Sequence, residues 1–428
     1  MTRNQVIFIG ASGVAILLLT LIFTGVIPGL REARKPFSEI DLEVWGVFDK
    51  SSAFSDVILQ YQKARPEVSV RYRELNQDTY EADLINALAS GAGPDIFMFH
   101  NTWLPKHFTK VEPLPKEQLS LADFKSFFPR VAEQDFAPDG DIYALPLYVD
   151  TLALIYNKDI FDNRAIALPP KTWPETQEMI LKTREIDKGG QIKVAGAAIG
   201  GSDQSINRAT DLLSLLMLQT GVQMTNSNFT SATFAQDGEQ SLTFYTKFAD
   251  PKNKYYTWNN SLHYSLDNFA EGGVAMIFNY AYNLANLRLK NPFLRIGVAE
   301  MPQPDLTSQR VDYANYFGLS VAANSQNIGY GWDFIKFVTT KPEVSRVYLQ
   351  KSGHPPALRS LVDDYLKNEN LAVFARQSLT ARSWPQVDNV AVENSFSDMI
   401  DKVVTGRLDT QKAIFEAQST LTGLMRRR

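Results

Sequence analysis

From Leu42 to Phe48 the chain reads Leu-Glu-Val-Trp-Gly-Val-Phe, an alternation rich in β-branched and aromatic side chains that predicts a strand. From Ser51 to Ala64 the spacing changes. Phe54, Val57, Ile58 and Tyr61 recur at helical intervals, and Pro66 closes the segment. Val68–Tyr72 alternates again, and Thr79–Ser90 sets Ala82, Leu84, Ile85 and Leu88 on one helical face before Gly91. Asp95–Phe99 is a third strand. The order strand–helix–strand–helix–strand predicts a parallel sheet covered by helices on both faces. Such sheets bind ligands beyond the carboxyl ends of their strands. The positions to watch are therefore Phe48, Asp49 and Lys50 after the first strand, and His100, Asn101 and Trp103 after the third.

The apolar run from Tyr143 to Asn157 is longer than one strand needs, so it can cross between two lobes. Thr172 and Glu175 have capping-box spacing, with Pro174 in the first turn of the helix they introduce. Further on, the pattern predicts a short strand over Val194–Ile199, an apolar helix over Asp211–Gln219, and a strand over Val274–Phe278 between two helices. Helices follow over Gly331–Val338, Pro342–Gln350, Leu371–Gln377, Asn394–Val404 and Thr410–Leu424.

One segment departs from this alternation. Val6–Ile27 carries no charge and is apolar all round. As a helix it would span about 33 Å, enough for a hydrocarbon core of roughly 30 Å. The small-x-small site of a cleavable signal is missing after Ile27. Residues 1–5 are thus expected to be a short flank, 6–27 an uncleaved transmembrane anchor and 28–37 a linker. Arg31, Arg34 and Lys35 outnumber Arg3, a bias against exporting the C-terminal side. The expectation of an extracytoplasmic body rests on the rest of the chain.

Composition narrows the function. The formal net charge is −4, and the first 35 residues hold four basic groups against one acid, so the body is more acidic still. That argues against a nucleic-acid partner. The chain has no cysteine, which removes disulfides, thiolate catalysis and a lipid-modified cysteine. Its four histidines, among them His100 and His354, form no close ligand pair, so neither a metal nor a cofactor is expected.

Several stretches in order carry a resemblance: Val44–Phe48, Tyr61–Val70, Ala87–Phe97, Tyr143–Leu147, Ala153–Phe161, Pro169–Glu175, Phe269–Met276 and Trp332–Val338. Together they resemble the family 1 extracellular solute-binding proteins, the sugar-capturing subunits of ABC importers, and more distantly maltose-binding protein. The resemblance runs from Ile40 to the C-terminus. It implies an α/β fold of two lobes, periplasmic-binding-protein-like of type II, each lobe with a mainly parallel sheet flanked by helices. It also implies a hinge crossed three times, near Val149–Thr151, Gly318–Ser320 and Ser352–Pro355. Lobe one would be 38–149 and 320–352, lobe two 150–318 and 353–428. A monomer on the outer side of the cytoplasmic membrane would hand a carbohydrate to permease subunits driven by a separate ATPase.

A sugar offers hydroxyls at its rim and flat CH faces, so a receptor needs aromatic rings together with acids, amides or amines. By resemblance Asp49 and Lys50 lie on a loop facing the cleft. Asn101 stands where maltose-binding protein has a ligand-contacting acid, with Trp103 close by. Asp150 matches an acidic sugar contact at the first crossing, and a carboxylate in so apolar a run needs a partner. Tyr282 matches a stacking aromatic, Asn279 opens its loop, Asp203 offers hydrogen bonds, and Trp258 and Trp384 are candidate stacking rings. Each has a plainer reading as a turn or core residue.

Three other functions compete with this one. Asp150 and Asp203 could be imagined as the carboxylate pair of a glycosidase, but no nucleophile elbow, phosphate loop or metal motif accompanies them. A receptor domain signalling through a kinase would favour a longer cytoplasmic portion. The same fold could also take a polyamine or a peptide.

Overall fold

The computed structural model describes residues 40–427. The expected anchor 6–27 and linker 28–37 lie outside them. Among the described residues no helix is long and apolar enough to cross a membrane.

The first lobe opens as the spacing predicts: β1 (Ile40–Gly46), α1 (Ser51–Ala64), β2 (Val68–Glu74), α2 (Tyr80–Ser90) and β3 (Ile96–His100). Helix α1 buries Ala53, Phe54, Val57 and Tyr61, one side of the predicted periodicity. Helix α2 buries Tyr80, Leu84 and Leu88 and stops at Gly91, whose φ of +75° glycine adopts without steric cost. Then come α3 (Leu104–His107), β4 (Val111–Glu112), α4 (Leu121–Phe127), α5 (Arg130–Phe136) and β5 (Leu145–Pro146).

The second lobe starts with β6 (Ala153–Asn157), α6 (Lys158–Asn163) and α7 (Trp173–Thr183). The predicted cap of α7 forms: the Glu175 amide donates to Thr172 Oγ1 at 3.2 Å, and Glu175 Oε2 accepts from the Lys171 amide at 2.7 Å. After β7 (Glu185–Ile186) and β8 (Ile192–Val194) come α8 (Ala209–Gln219), α9 (Ala235–Thr246) and α10 (Ser265–Ala270). They are followed by β9 (Met276–Asn279), α11 (Tyr282–Lys290), β10 (Ile296–Ala299) and β11 (Asp312–Tyr313). The chain then returns to lobe one with β12 (Phe317–Ala322), α12 (Ile328–Thr340), α13 (Pro342–Ser352) and α14 (Arg359–Tyr365). It ends in lobe two with α15 (Ala372–Gln377), β13 (Ala381–Arg382), α16 (Asn389–Val404) and α17 (Thr410–Met425).

The sheets correct one expectation. In lobe one the order is β2-β1-β3-β12-β4, with β5 also on β12. Strands β1–β3 are parallel, while β12 runs against β3 with Phe317 opposite His100. Lobe two holds the three-stranded sheet β10-β6-β9, and both of its pairings are antiparallel, so it is not mainly parallel. The cause is shared by the two lobes. Strands β6 and β12 both leave the hinge and run away from the cleft, while their neighbours run toward it. In the larger sheet one reversed strand of six makes three antiparallel pairings, with β3, β4 and β5, beside the two parallel ones; at the centre of a three-stranded sheet it makes every pair antiparallel.

Each lobe has its own core. One gathers Leu42, Val44, Phe54, Phe97, Leu319 and Trp332; the other gathers Leu154, Ile155, Leu213, Phe234, Phe278 and Phe396. Val149 belongs to the first and Leu152 to the second. Tyr313 packs in the second and Ala314 in the first, so the return crossing precedes the expected Gly318–Ser320, which lies inside β12. The last crossing also differs from the expected Ser352–Pro355. Leu361 of α14 still packs in lobe one, and Arg359 Nε donates to the Phe128 carbonyl at 2.8 Å, whereas Leu371 and Phe374 belong to lobe two. The crossings lie side by side: the Leu152 amide donates to Tyr313 O at 2.9 Å, the Asn315 amide to Asp150 O at 3.0 Å, and β11 pairs with β13.

Candidate functional site

Between the lobes lies a cavity of about 930 Å³, near the upper end of the usual range of roughly 300–1,000 Å³ for small-molecule sites. Lobe one contributes Phe48, Tyr80, His100, Asn101, Trp103 and Phe317. Lobe two contributes Asn207, Arg208, Asp211, Tyr282, Asn283 and Glu393, and the hinge side adds Tyr148, Asn315 and His354.

The lobe-one wall is aromatic, and it stands where strands end. Phe48, just after β1, has a left-handed backbone with φ +68°, a conformation that costs a non-glycine residue energy and often marks a ligand site. Its ring is 48% exposed and lies 5.7 Å from that of Phe317. Trp103 stacks on Tyr80 at 5.9 Å, and its Nε1 donates across the cleft to Asn389 Oδ1 at 3.2 Å. One turn on, Lys106 Nζ lies 2.7 Å from Glu81 and 2.6 Å from Asp388 of lobe two. Burial opposes the charge on Glu81, but His107 and Lys106 overcome that and hold its carboxyl down to about 2. Asp388 is also the N-cap of α16, accepting from the Ala391 amide, so the mouth of the cleft is clasped onto the first turn of that helix.

The lobe-two wall is polar. Asp211 Oδ2 accepts from Arg208 Nε at 2.7 Å, also from Arg208 Nη2, and from the Tyr280 hydroxyl at 2.6 Å. The guanidinium lies 5.5 Å from the Tyr280 ring centre. Asn207, Asn279 and Asn283 form an amide chain: Asn279 Nδ2 donates to Asn207 at 2.9 Å, and Asn283 Nδ2 donates to Asn279 at 2.6 Å. Tyr282 is the exposed ring of this wall, 45% exposed and stacked on Tyr280 at 5.7 Å.

Of the residues singled out by sequence, Asn101, Trp103 and Tyr282 line the cavity. Asn101 is itself committed, donating to Asp135 at 3.0 Å. Asp49, Asp150 and Asn279 sit behind the wall. Asp49 accepts from the Tyr348 hydroxyl at 2.6 Å and lies 3.2 Å from His354 Nε2. Asp150 accepts from the amides of Thr151, Ala281 and Tyr282 at 2.8, 3.1 and 3.3 Å, fixing the turn that presents Tyr282. Burial pushes its carboxyl up to about 7 despite those donors.

Four residues stand away from the cavity. Lys50 is an exposed residue at the start of α1. Asp203 accepts from the Ala209 amide at 3.0 Å, and burial, together with Glu393 and Asp211, raises it to about 7. Trp258 is fully buried with Nε1 donating to Ser205 Oγ at 3.1 Å, and Trp384 is buried against Phe396. A tryptophan reads the same in a core as in a cleft, and here the lobe-two core takes both. The imagined pair Asp150 and Asp203 therefore does not face the cavity.

Phe48, marked in the sequence by its place directly after the first strand, also lines the cavity, whereas sequence reasoning assigned no ligand role to Arg208, Asn283, Asn389, His354 or Glu393. Arg208 and Glu393 precede or lie within helices, and nothing local distinguishes them from ordinary helix charges.

The family profile of bacterial extracellular solute-binding proteins matches residues 56–374. A galactooligosaccharide-binding protein of Bacillus subtilis is 22% identical over 90% of this chain and 89% of its own. Among solved structures, the sugar-binding protein MalE of Xanthomonas citri superimposes with a TM-score of 0.74 at 20% identity, covering 91% of this chain and 98% of that one. A solute-binding protein of Thermotoga lettingae bound to α-D-tagatose gives 0.71 at 20% identity, covering 90% and 100%.

Proposed function

Since the chain belongs to the bacterial extracellular solute-binding proteins, we propose that it captures a carbohydrate between its lobes and delivers it to the permease subunits of an ABC importer. The observation that carries this reading is the pair of exposed rings, Phe48 and Tyr282, offered to one cavity from opposite lobes among amide side chains. Two rings supply faces for the CH surfaces of a sugar, and Asn207, Asn283, Asn315 and Asn389 supply donors and acceptors for its rim. The names of the relatives point to the same cargo class. ATP hydrolysis belongs to a separate chain, because no phosphate-cradling loop is present in this sequence. In this reading residues 6–27 anchor a monomer whose two lobes face the extracytoplasmic side.

Closure requires that the ligand contact the closed state better than the open one. Asn101, Trp103 and Tyr282, with Phe48, are the contacts we assign to the sugar; Asp49, Asp150 and Asn279 position them. A thermal-shift series on the full-length chain in detergent, with mono- and oligosaccharides, polyamines and peptides, tests the proposal. At 100 times its dissociation constant a ligand adds about 2.7 kcal/mol, a shift of several degrees. A shift with saccharides alone supports the reading. Silence with saccharides and a shift with polyamines or peptides would keep the fold and overturn the cargo.

A further inference from the structure

The charged groups lining the cavity are not equally provided for. Glu81 has Lys106 and His107, and Asp211 has two N–H donors of Arg208 and the Tyr280 hydroxyl. Glu393 has none. It lines the cavity from the second turn of α16, half-buried, and makes no hydrogen bond or ion pair among the described residues. Behind this wall Asp203 has one oxygen on the Ala209 amide and the other buried without a partner. Lobe two thus sets three carboxylates around one guanidinium, and that guanidinium is already bonded to Asp211. Burial drives Glu393 upward, Asp211 adds to the shift, and Arg208 only partly offsets it, as expected of a carboxylate short of a cation.

On the hinge side of the same cavity stands a buried histidine. His354 is buried, with its ring flat on Tyr148 at 3.8 Å and its Nε2 3.2 Å from Asp49 Oδ1. Its Nδ1 has no partner. On the lobe-two side the cavity offers a carboxylate, Glu393, with no cation or donor of its own among the described residues. A hydroxyl brings such a carboxylate one donor and no charge; an ammonium brings three donors, a positive charge and no acceptor.

We infer that the ligand carries an amino group on a sugar ring and that Glu393 receives it. The inference rests on the carbohydrate reading above: a flexible polyamine would meet the charge but offer no ring faces to Phe48 and Tyr282. Glu393 is thus the residue that sets the ligand's charge class, while the two rings set its shape.

Isothermal titration of the full-length chain in detergent with glucosamine, N-acetylglucosamine and glucose, and with short oligomers of each, tests it. The amino form should bind at least tenfold tighter than its acetylated and neutral counterparts of the same length. Glu393→Gln should bring the three within threefold of one another, and Glu393→Asp, which keeps the charge, should restore the order. Circular dichroism checks that both variants are folded. Equal or tighter binding of the neutral sugars by the unmodified protein would overturn the inference and leave the carbohydrate reading intact, as would an amino preference that survives Glu393→Gln. Binding of spermidine but of no saccharide would sink both the sugar ring and the carbohydrate reading. Binding of no amine at all would sink the inference whatever else binds.

Discussion

The two walls of the cleft differ in kind. Lobe one presents rings (Phe48, Tyr80, Trp103, Phe317); its half-buried acid Glu81 is neutralised within reach of Lys106 and His107, and its other acid, Asp78, is exposed to solvent. Lobe two presents amides and acids around one exposed ring, Tyr282, and leaves Glu393 without a partner. The difference follows from how each wall is built. The lobe-one wall grows from the ends of buried strands, where β3 is apolar at nearly every position and the residues that follow continue that packing. The lobe-two wall grows from helix starts, at Arg208 before α8, Tyr282 opening α11 and the first turns of α16, where side chains and free backbone groups are polar by default. A receptor made this way divides its labour: one wall holds a flat face, the other reads substituents.

That division can be broken from either side. Trp103→Ala removes both a ring of lobe one and its donor to Asn389, and we expect a loss of about 100-fold in affinity, on the scale of roughly 2–4 kcal/mol for a buried aromatic anchor. Titration calorimetry with the cognate sugar measures it; an unchanged affinity would remove Trp103 from the contacts and leave Phe48 as the ring of lobe one. Tyr282→Ala should cost about tenfold, near 1.5 kcal/mol, with little change in the melting temperature of the unliganded protein, because the ring is already 45% exposed. Lys106→Met cuts the ion pair across the mouth and should speed ligand release about threefold, an effect that shrinks in high salt. Stopped-flow release at two ionic strengths checks this.

The smallest effect concerns pH. Asp150, Asp135 and Asp203 are each raised by burial from an ordinary value of 3.8 to about 7. Between pH 4 and 7 the folded protein keeps protons that the unfolded chain has released, so stability is greatest at the acid end and falls as pH rises through that window. Asp150→Asn should make the decline in melting temperature shallower by a few degrees. A slope identical to that of the unmodified protein would mean that Asp150 is charged throughout. The substitution tests positioning as well, since an Asn oxygen can still accept from the amides of Thr151 and Ala281 while its NH2 faces the Tyr282 amide.

Periodicity carried the first lobe's sequence a long way. The bounds of α1 were legible from apolar spacing and Pro66, those of α2 from Gly91, and the start of α7 from Thr172 and Glu175, because each end is decided by local chemistry. Strand direction in lobe two was not legible, because a short apolar strand reads alike in either sense and only its partners decide. The crossings were misplaced for a related reason. Strand β12 is buried at every position, so no polar residue marks where the hinge ends and the sheet begins. At the site, a carboxylate such as Asp150 in an apolar run announces that it has a partner, but not that the partners are backbone amides. Glu393 gave no sign, because its meaning depends on Arg208 and Asp211, nearly two hundred residues earlier in the chain.

The reversed strand β12 has a consequence for how the protein comes into being. Strand β3 lies between β1 and β12, and its every residue is buried, yet its partner on one side is made only after the whole first pass through lobe two, with His100 waiting for Phe317. Lobe two waits in turn for α16 and α17 at the end of the chain, whose Phe396, Met399, Ile414 and Leu421 complete its core. Neither half can finish before the other is under way, and such long-range pairing slows folding. A nascent chain that pauses before Phe317 carries a bare apolar strand edge, the kind of surface that recruits other chains. In the cell that interval is the one a chaperone would have to guard.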